Sequence, residues 1–173
     1  MDIQERLEPV VELLSDLEKV NLSYNFYLGG GALRDITFKG VSTELKDWDI
    51  FAVPLEDKAF ITSLPNEVKP LFEVTYNLDM SKRGVESLHT GFVKGIPEEV
   101  NVIVYHKQLS TIELADDFDF NVNQIVMDST GDIYTTEAFD KFHDTGVLVQ
   151  TKQYNEERMQ ERMERMQSRL GLI

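Results

Sequence analysis

Apolar residues recur at three- and four-residue spacing through Ile3, Leu7, Val10, Val11, Leu14 and Leu17, with acids between them. This spacing predicts an opening helix. Asn21 and Ser23 break the pattern. Asn25-Phe26-Tyr27-Leu28 then predicts a short strand entering the triple glycine Gly29-Gly30-Gly31, and Ala32 to Phe38 predicts a short helix leaving it. Trp48 to Val53 reads as a second strand, stopped by Pro54. Leu55 to Leu64 predicts a helix ending before Pro65. Leu71 to Tyr76 alternates like a strand, Asp79 to Ser87 reads as a polar mobile loop, and His89 to Val93 and Val100 to Tyr105 read as further strands. Ile125-Val126-Met127, the turn Asp128-Ser129-Thr130-Gly131 and Asp132-Ile133-Tyr134 predict a hairpin. The last element is a helix from about Asn155 to Leu170. Strands and helices alternate loosely, which points to an α/β or α+β core.

That final helix carries three stripes. Arg158, Arg162, Arg165 and Arg169 step by 4, 3 and 4, and Met159, Met163, Met166 and Leu170 do the same one position on. Glu157, Glu161 and Glu164 form the third. Each stripe falls on one helix face. The arginines can contact RNA backbone or pair with the neighbouring glutamates. The methionines can seal against the rest of the chain or pair with a second copy as a homodimer. The boundary expected from this pattern puts a domain at 1–150 and an appended helix at 151–173.

The length of 173 residues suits one domain plus such an appended element. There are 31 acids against 17 bases, a formal charge of -14. Such a chain does not coat nucleic acid by bulk attraction, though it can hold an RNA end by local contacts. The absence of cysteine excludes a disulfide framework, a zinc ribbon and a thiol nucleophile. No run approaches the roughly 18 apolar residues of a membrane span. Met1-Asp2-Ile3-Gln4-Glu5 lacks the features of a signal peptide, so the expected location is the cytoplasm.

Two neighbouring features carry candidate chemistry. Tyr27-Leu28-Gly29-Gly30-Gly31-Ala32-Leu33-Arg34-Asp35 is a strand, a glycine turn and a helix start. Such a turn exposes backbone N–H groups at the positive end of a helix, where a phosphate can bind. No Gly-Lys-Ser/Thr follows, so it is not a Walker loop, and Arg34 occupies the third glycine position of the dinucleotide fingerprint. In Lys46-Asp47-Trp48-Asp49-Ile50, strand alternation puts Asp47 and Asp49 on one face and Trp48 on the other. Two such carboxylates repel unless a cation sits between them, and hard cations such as Mg²⁺ take oxygen ligands. His89, His106 and His143 are widely spaced and read as ordinary histidines.

Together, Gly-Gly-Ala-Leu-Arg-Asp and the following Lys-Asp-Trp-Asp-Ile resemble the polymerase β-like nucleotidyltransferases. Within that superfamily they look like the head domain of CCA-adding tRNA nucleotidyltransferases and bacterial poly(A) polymerases. Asp119 to Asp128, with Gly131-Asp132-Ile133-Tyr134 after it, is similar to the family's Arg-Arg-Asp-Phe-Thr-x-Asn segment and hairpin. Arg162 to Leu172 looks like its neck helix.

The resemblance implies a head with a mixed sheet flanked by helices, followed by one C-terminal helix. It implies that Asp47 and Asp49 are catalytic and hold Mg²⁺ (or Mn²⁺), and that Gly30, Gly31, Arg34, Asp35, Asp119 and Asn123 bind the nucleotide. The implied reaction joins a nucleoside monophosphate from ATP or CTP to an acceptor, foremost an RNA or tRNA 3′ end, and releases pyrophosphate. Some positions depart from the family. Asp117 and Phe118 stand where the family has two arginines, and Asn101 takes the place of its third carboxylate. Glu98 or Glu99 would substitute only if that strand begins differently. Asn155-Glu156 is the nearest relic of the base-reading neck signature, with Met159 at its arginine. These departures keep two alternatives open. One is a weak or inactive nucleotidyltransferase fold acting as nucleotide sensor or acidic protein-binding inhibitor. The other is transfer to a protein or small-molecule acceptor.

Overall fold

A computed structural model describes residues 1–56, 72–75, 85–152 and 156–171. Helix α1 (Ile3–Val20) is fixed at its start by a capping box, in which the Asp2 side chain accepts from the Glu5 amide and the Glu5 side chain accepts from the Asp2 amide. Leu7, Val10, Leu13, Leu14 and Leu17 are its buried stripe. Ile3, which the spacing included in that stripe, is exposed. Strand β1 (Tyr24–Gly29) leads into α2 (Gly31–Lys39), and β2 (Asp47–Pro54) follows. Then come β3 (Phe72–Thr75), β4 (Val85–Val93) and β5 (Ile96–Tyr105). Helix α3 (Thr111–Asp116), a 3-10 turn (Asn121–Asn123), β6 (Ile125–Met127), β7 (Ile133–Thr135), α4 (Glu137–Thr145) and α5 (Glu156–Arg169) complete the order.

The seven strands among the described residues form one sheet in the order β3-β4-β5-β2-β1-β6-β7. Only β2 and β5 pair in parallel; the other neighbours are antiparallel. The expected mixed sheet with flanking helices and a C-terminal helix is therefore present. The central strands are buried on both faces. Trp48, Ile50, Ala52, Val100, Val102 and Val104 join α1 and α2 in one core cluster. Phe51, Val53, Ile103 and Tyr105 join Leu114 and Ala115 of α3 in another. Alternation thus sorts β2 into an even row and an odd row. Asp47 and Asp49 open the odd row, ahead of Phe51 and Val53, and this register sets the site. No helix among the described residues is long and apolar enough to cross a membrane.

Two helices appear where no element is expected from the apolar pattern, α3 and α4. Val85 to Ser87 belong to β4 rather than to a mobile loop, because β5 is long enough to give them partners at Tyr105 and Val104 across a bulge. The rest of that loop and the expected helix beyond Glu56 lie outside the described residues. A third cluster, of Phe120, Val122, Phe142 and Met166 with Met163 and Leu170 against it, ties α5 to the head. Met163, Met166 and Leu170 of the apolar stripe thus face the head.

Candidate functional site

The glycine turn is shaped by contacts that leave no room for side chains. Gly29 pairs with Asp49 across the β1–β2 ladder. A Cβ on Gly29 would lie 3.1 Å from the Phe51 ring and 3.2 Å from the Phe118 ring, tighter than ordinary packing allows. Gly30, the N-cap of α2, has φ 74° and ψ -143°, a conformation open only to glycine at low cost. A Cβ there would lie 3.6 Å from Asp49 Oδ2. No side chain caps α2, so its first N–H groups are left for another acceptor.

Trp48 is buried on the far face, where its indole N–H donates to Glu98 Oε2 at 3.3 Å. Glu98 also pairs with Arg6 at 3.4 Å, so it is committed to the α1 side. The parallel β2–β5 register sets Asp47 beside Glu99 and Asp49 beside Asn101. The amide of Asn101 donates to Asp49 Oδ1 at 3.0 Å, and its own oxygen accepts from Thr90 Oγ1 at 2.9 Å. Asp49 is half-buried. Burial, followed by the charge of Asp47 and more weakly that of Glu99, raises its pKa from an ordinary 3.8 to about 6, against the Asn101 hydrogen bond and the Arg34 charge.

A carboxylate held in that state gains from a cation, and the hard oxygen donors of Asp47 and Asp49 suit Mg²⁺ or Mn²⁺. Asn101 turns an N–H pair rather than a carboxylate toward them. Among the described residues no group of three His, Cys, Asp or Glu side chains is placed to hold a metal. Asp47 and Asp49 would offer a divalent cation two carboxylates, and its remaining ligands would have to come from outside this pair.

Behind the turn runs a polar chain of buried residues. Arg34 Nε donates to Asp35 Oδ1 at 2.9 Å, and its Nη1 donates to Asn123 Oδ1 at 2.8 Å. Asn123 Nδ2 lies 3.4 Å from Asp119 Oδ1, and Arg162 of α5 pairs with Asp119 Oδ2. Arg162 also lies over the Phe120 ring at 5.8 Å, and Arg169 stands 4.0 Å from Asp35. The four residues Arg34, Asp35, Asp119 and Asn123 thus meet in one network. The arginines of α5 that pair here choose head acids, Asp119 and Asp35. Arg158 has a side chain outside the described residues.

Phe118, where the resembled family has an arginine, is a buried ring against Phe51, 5.0 Å between centroids. Asp117 lies near the Tyr105 hydroxyl, at 3.5 Å. Thr90, which orients Asn101, carries no signal in the sequence, because its role depends on the pairing of β4 with β5. His106 and His143 are exposed, and burial holds the pKa of His89 below its usual value.

No protein-family model and no curated protein matches this chain. Solved structures do. A tRNA-processing enzyme in an apo form superposes with a TM-score of 0.58 at 13% identity, over 88% of this chain and 38% of that one. The fold is that of a polymerase β-like nucleotidyltransferase head. The Bacillus stearothermophilus CCA-adding enzyme in complex with CTP matches at 21% identity and TM-score 0.52, over 84% of this chain and 33% of its own. The Thermotoga maritima CCA-adding enzyme complexed with tRNA matches at 13% identity and TM-score 0.56, over 88% and 36%. The chain therefore spans roughly a third of the length of these enzymes.

Proposed function

We propose that this chain is a metal-dependent nucleotidyltransferase that moves a nucleoside monophosphate from ATP or CTP onto an acceptor, foremost an RNA 3′ end. The observation that carries this reading is the approach of Asp49 Oδ2 to within 3.6 Å of the Cβ position at Gly30, which brings the acid pair and the uncapped helix start together. The CTP, ATP and tRNA bound in solved CCA-adding enzymes of the same fold support the choice of partners.

Transfer would form a bond between the acceptor oxygen and the α-phosphorus and break the α–β anhydride, with pyrophosphate leaving and the hydroxyl proton released. Asp47 and Asp49 would hold Mg²⁺ or Mn²⁺, which when bound supplies positive charge to the triphosphate and acidifies the acceptor hydroxyl. The bare α2 amides at Gly31 and beyond would donate to phosphate oxygens. Arg34, held by Asp35 and Asn123, fixes a positive charge beside them. Phe51 and Phe118 close the strand side of the turn to water.

Incubation with Mg²⁺ or Mn²⁺, each labelled NTP and either RNA or total protein tests the reading. Label is expected on RNA, and Asp47→Ala or Asp49→Ala should lower its incorporation about a hundredfold or more. Label on protein instead would move the acceptor to a protein side chain. The Asn101 amide aimed at Asp49, together with the ring of Phe118 in an arginine's place, favours a second reading, a weak or inactive nucleotide sensor. Nucleotide binding without any transfer of label would select it.

A further inference from the structure

Between the start of α2 and the inner face of α5 lies a cavity of about 140 Å³, lined by Arg34, Arg162, Arg165, Met166 and Arg169. In a chain of 31 acids and 17 bases, four bases converge on one cavity and no acid lines it. Four guanidiniums so placed repel one another unless anions lie between them. Among the described residues, Asp35 and Asp119 pair with these arginines, and both touch them from outside the cavity lining.

The floor of the cavity is the most telling part. Arg34 is 4% exposed. Its Nε and Nη1 have partners, but its buried Nη2 has no hydrogen-bond acceptor among the described residues. A buried charged donor left unmatched bears the full cost of its lost hydration. That Nη2 lies 3.3 Å from the Cβ position at Gly31, so a side chain at 31 would crowd it. Exposure then rises outward, from Arg34 at the floor to the side chains of Arg162 at 37% and Arg169 at 54%. The cavity is a funnel of guanidinium donors with one unmet donor at its base.

We infer that this funnel is a binding site for a terminal phosphate group, either free or as the end of a nucleotide's phosphate chain. Planar guanidinium forks match phosphate oxygens two at a time, and a terminal group presents the three oxygens that a ring of arginines can share. A mid-strand phosphate diester lacks the third oxygen and the reach to the buried floor. The site stands on arginine geometry alone and does not depend on the transfer chemistry proposed above.

Titration of the full chain with inorganic phosphate in EDTA, at ionic strength matched with chloride, tests it by calorimetry and thermal unfolding. Phosphate should bind and raise the Tm. Arg165→Gln and Arg169→Gln, both at the exposed rim, should each weaken binding about tenfold while the fold stays intact. Lys141→Gln on α4 should leave binding unchanged. Binding should persist in the Asp47→Asn/Asp49→Asn chain, which separates this site from the failure or success of transfer. ADP binding much tighter than inorganic phosphate assigns a nucleotide tail, and equal binding assigns the free anion. No stabilisation beyond the chloride control, or equal phosphate binding by the wild type and the Arg165→Gln/Arg169→Gln chain, overturns the inference.

Discussion

Asp49 sits where three influences meet: an acid neighbour on its own strand, an amide on the next, and the glycine turn. Its raised pKa of about 6 means that ionising it opposes folding. The folded state holds a proton that the unfolded state releases between pH 4 and 6, so this group's contribution to stability falls as pH rises through that window. Asp49→Asn keeps the acceptor for Asn101 and removes the charge. It should therefore be more stable than the wild type at pH 8, by up to about 3 kcal/mol for a rise from 3.8 to about 6, and the gain should vanish by pH 4. Urea unfolding at the two pH values measures this, and a gain that does not change with pH would sink the electrostatic account. Asn101→Asp is the complementary change. It adds a third acid beside Asp49 and should lower stability in EDTA while strengthening Mg²⁺ binding about tenfold, read by calorimetry.

The helices differ in how they announce themselves. Helix α1 runs 18 residues, long enough for its apolar period to register. Helix α3 has six residues and α4 nine, too short for a periodic signal, and α4 buries only Phe139 and Phe142. Their ends are marked instead. Ser110 and Glu113 make a capping box, and Thr136 caps α4 by accepting from the Phe139 amide at 3.2 Å while Gly146 closes it at φ 70°. Thr136 also donates to buried Gln124 Oε1 at 2.7 Å. Thr136→Ala should thus cost about 2 kcal/mol, above a bare cap, because it also takes the Thr136 donor from Gln124 Oε1. Chemical denaturation reads the difference, and a cost near that of a surface change would show the Gln124 contact to be idle.

At the scale of the whole molecule, α5 does two jobs at once. Met166 fills a cluster with Phe120, Val122 and Phe142, and Arg162 answers Asp119, which is only 3% exposed. A chain ended after Lys152 would uncover those rings and take the ion pair from Asp119. Exposing one such apolar side chain costs roughly 1.5–3 kcal/mol, before the lost pair is counted. The truncated chain should melt roughly 10 °C lower by circular dichroism, and an unchanged Tm would show that α5 adds nothing to the head.

Short-range spacing was enough to place the glycine turn, the pair Asp47 and Asp49 on one strand face, Trp48 on the other, and the β6–β7 hairpin. Each of these depends on residues within a few positions of one another, where backbone geometry leaves few choices. The alignment of Asn101 with Asp49 was legible as a likeness to a family pattern, but the direction of its amide needed Thr90 on a third strand. Sequence alone marked the arginines of α5 as a stripe with two open uses. Only the tertiary structure brought them to Arg34, since that meeting spans 132 residues of chain at Met166 and is decided by how an apolar face packs, which no local period records.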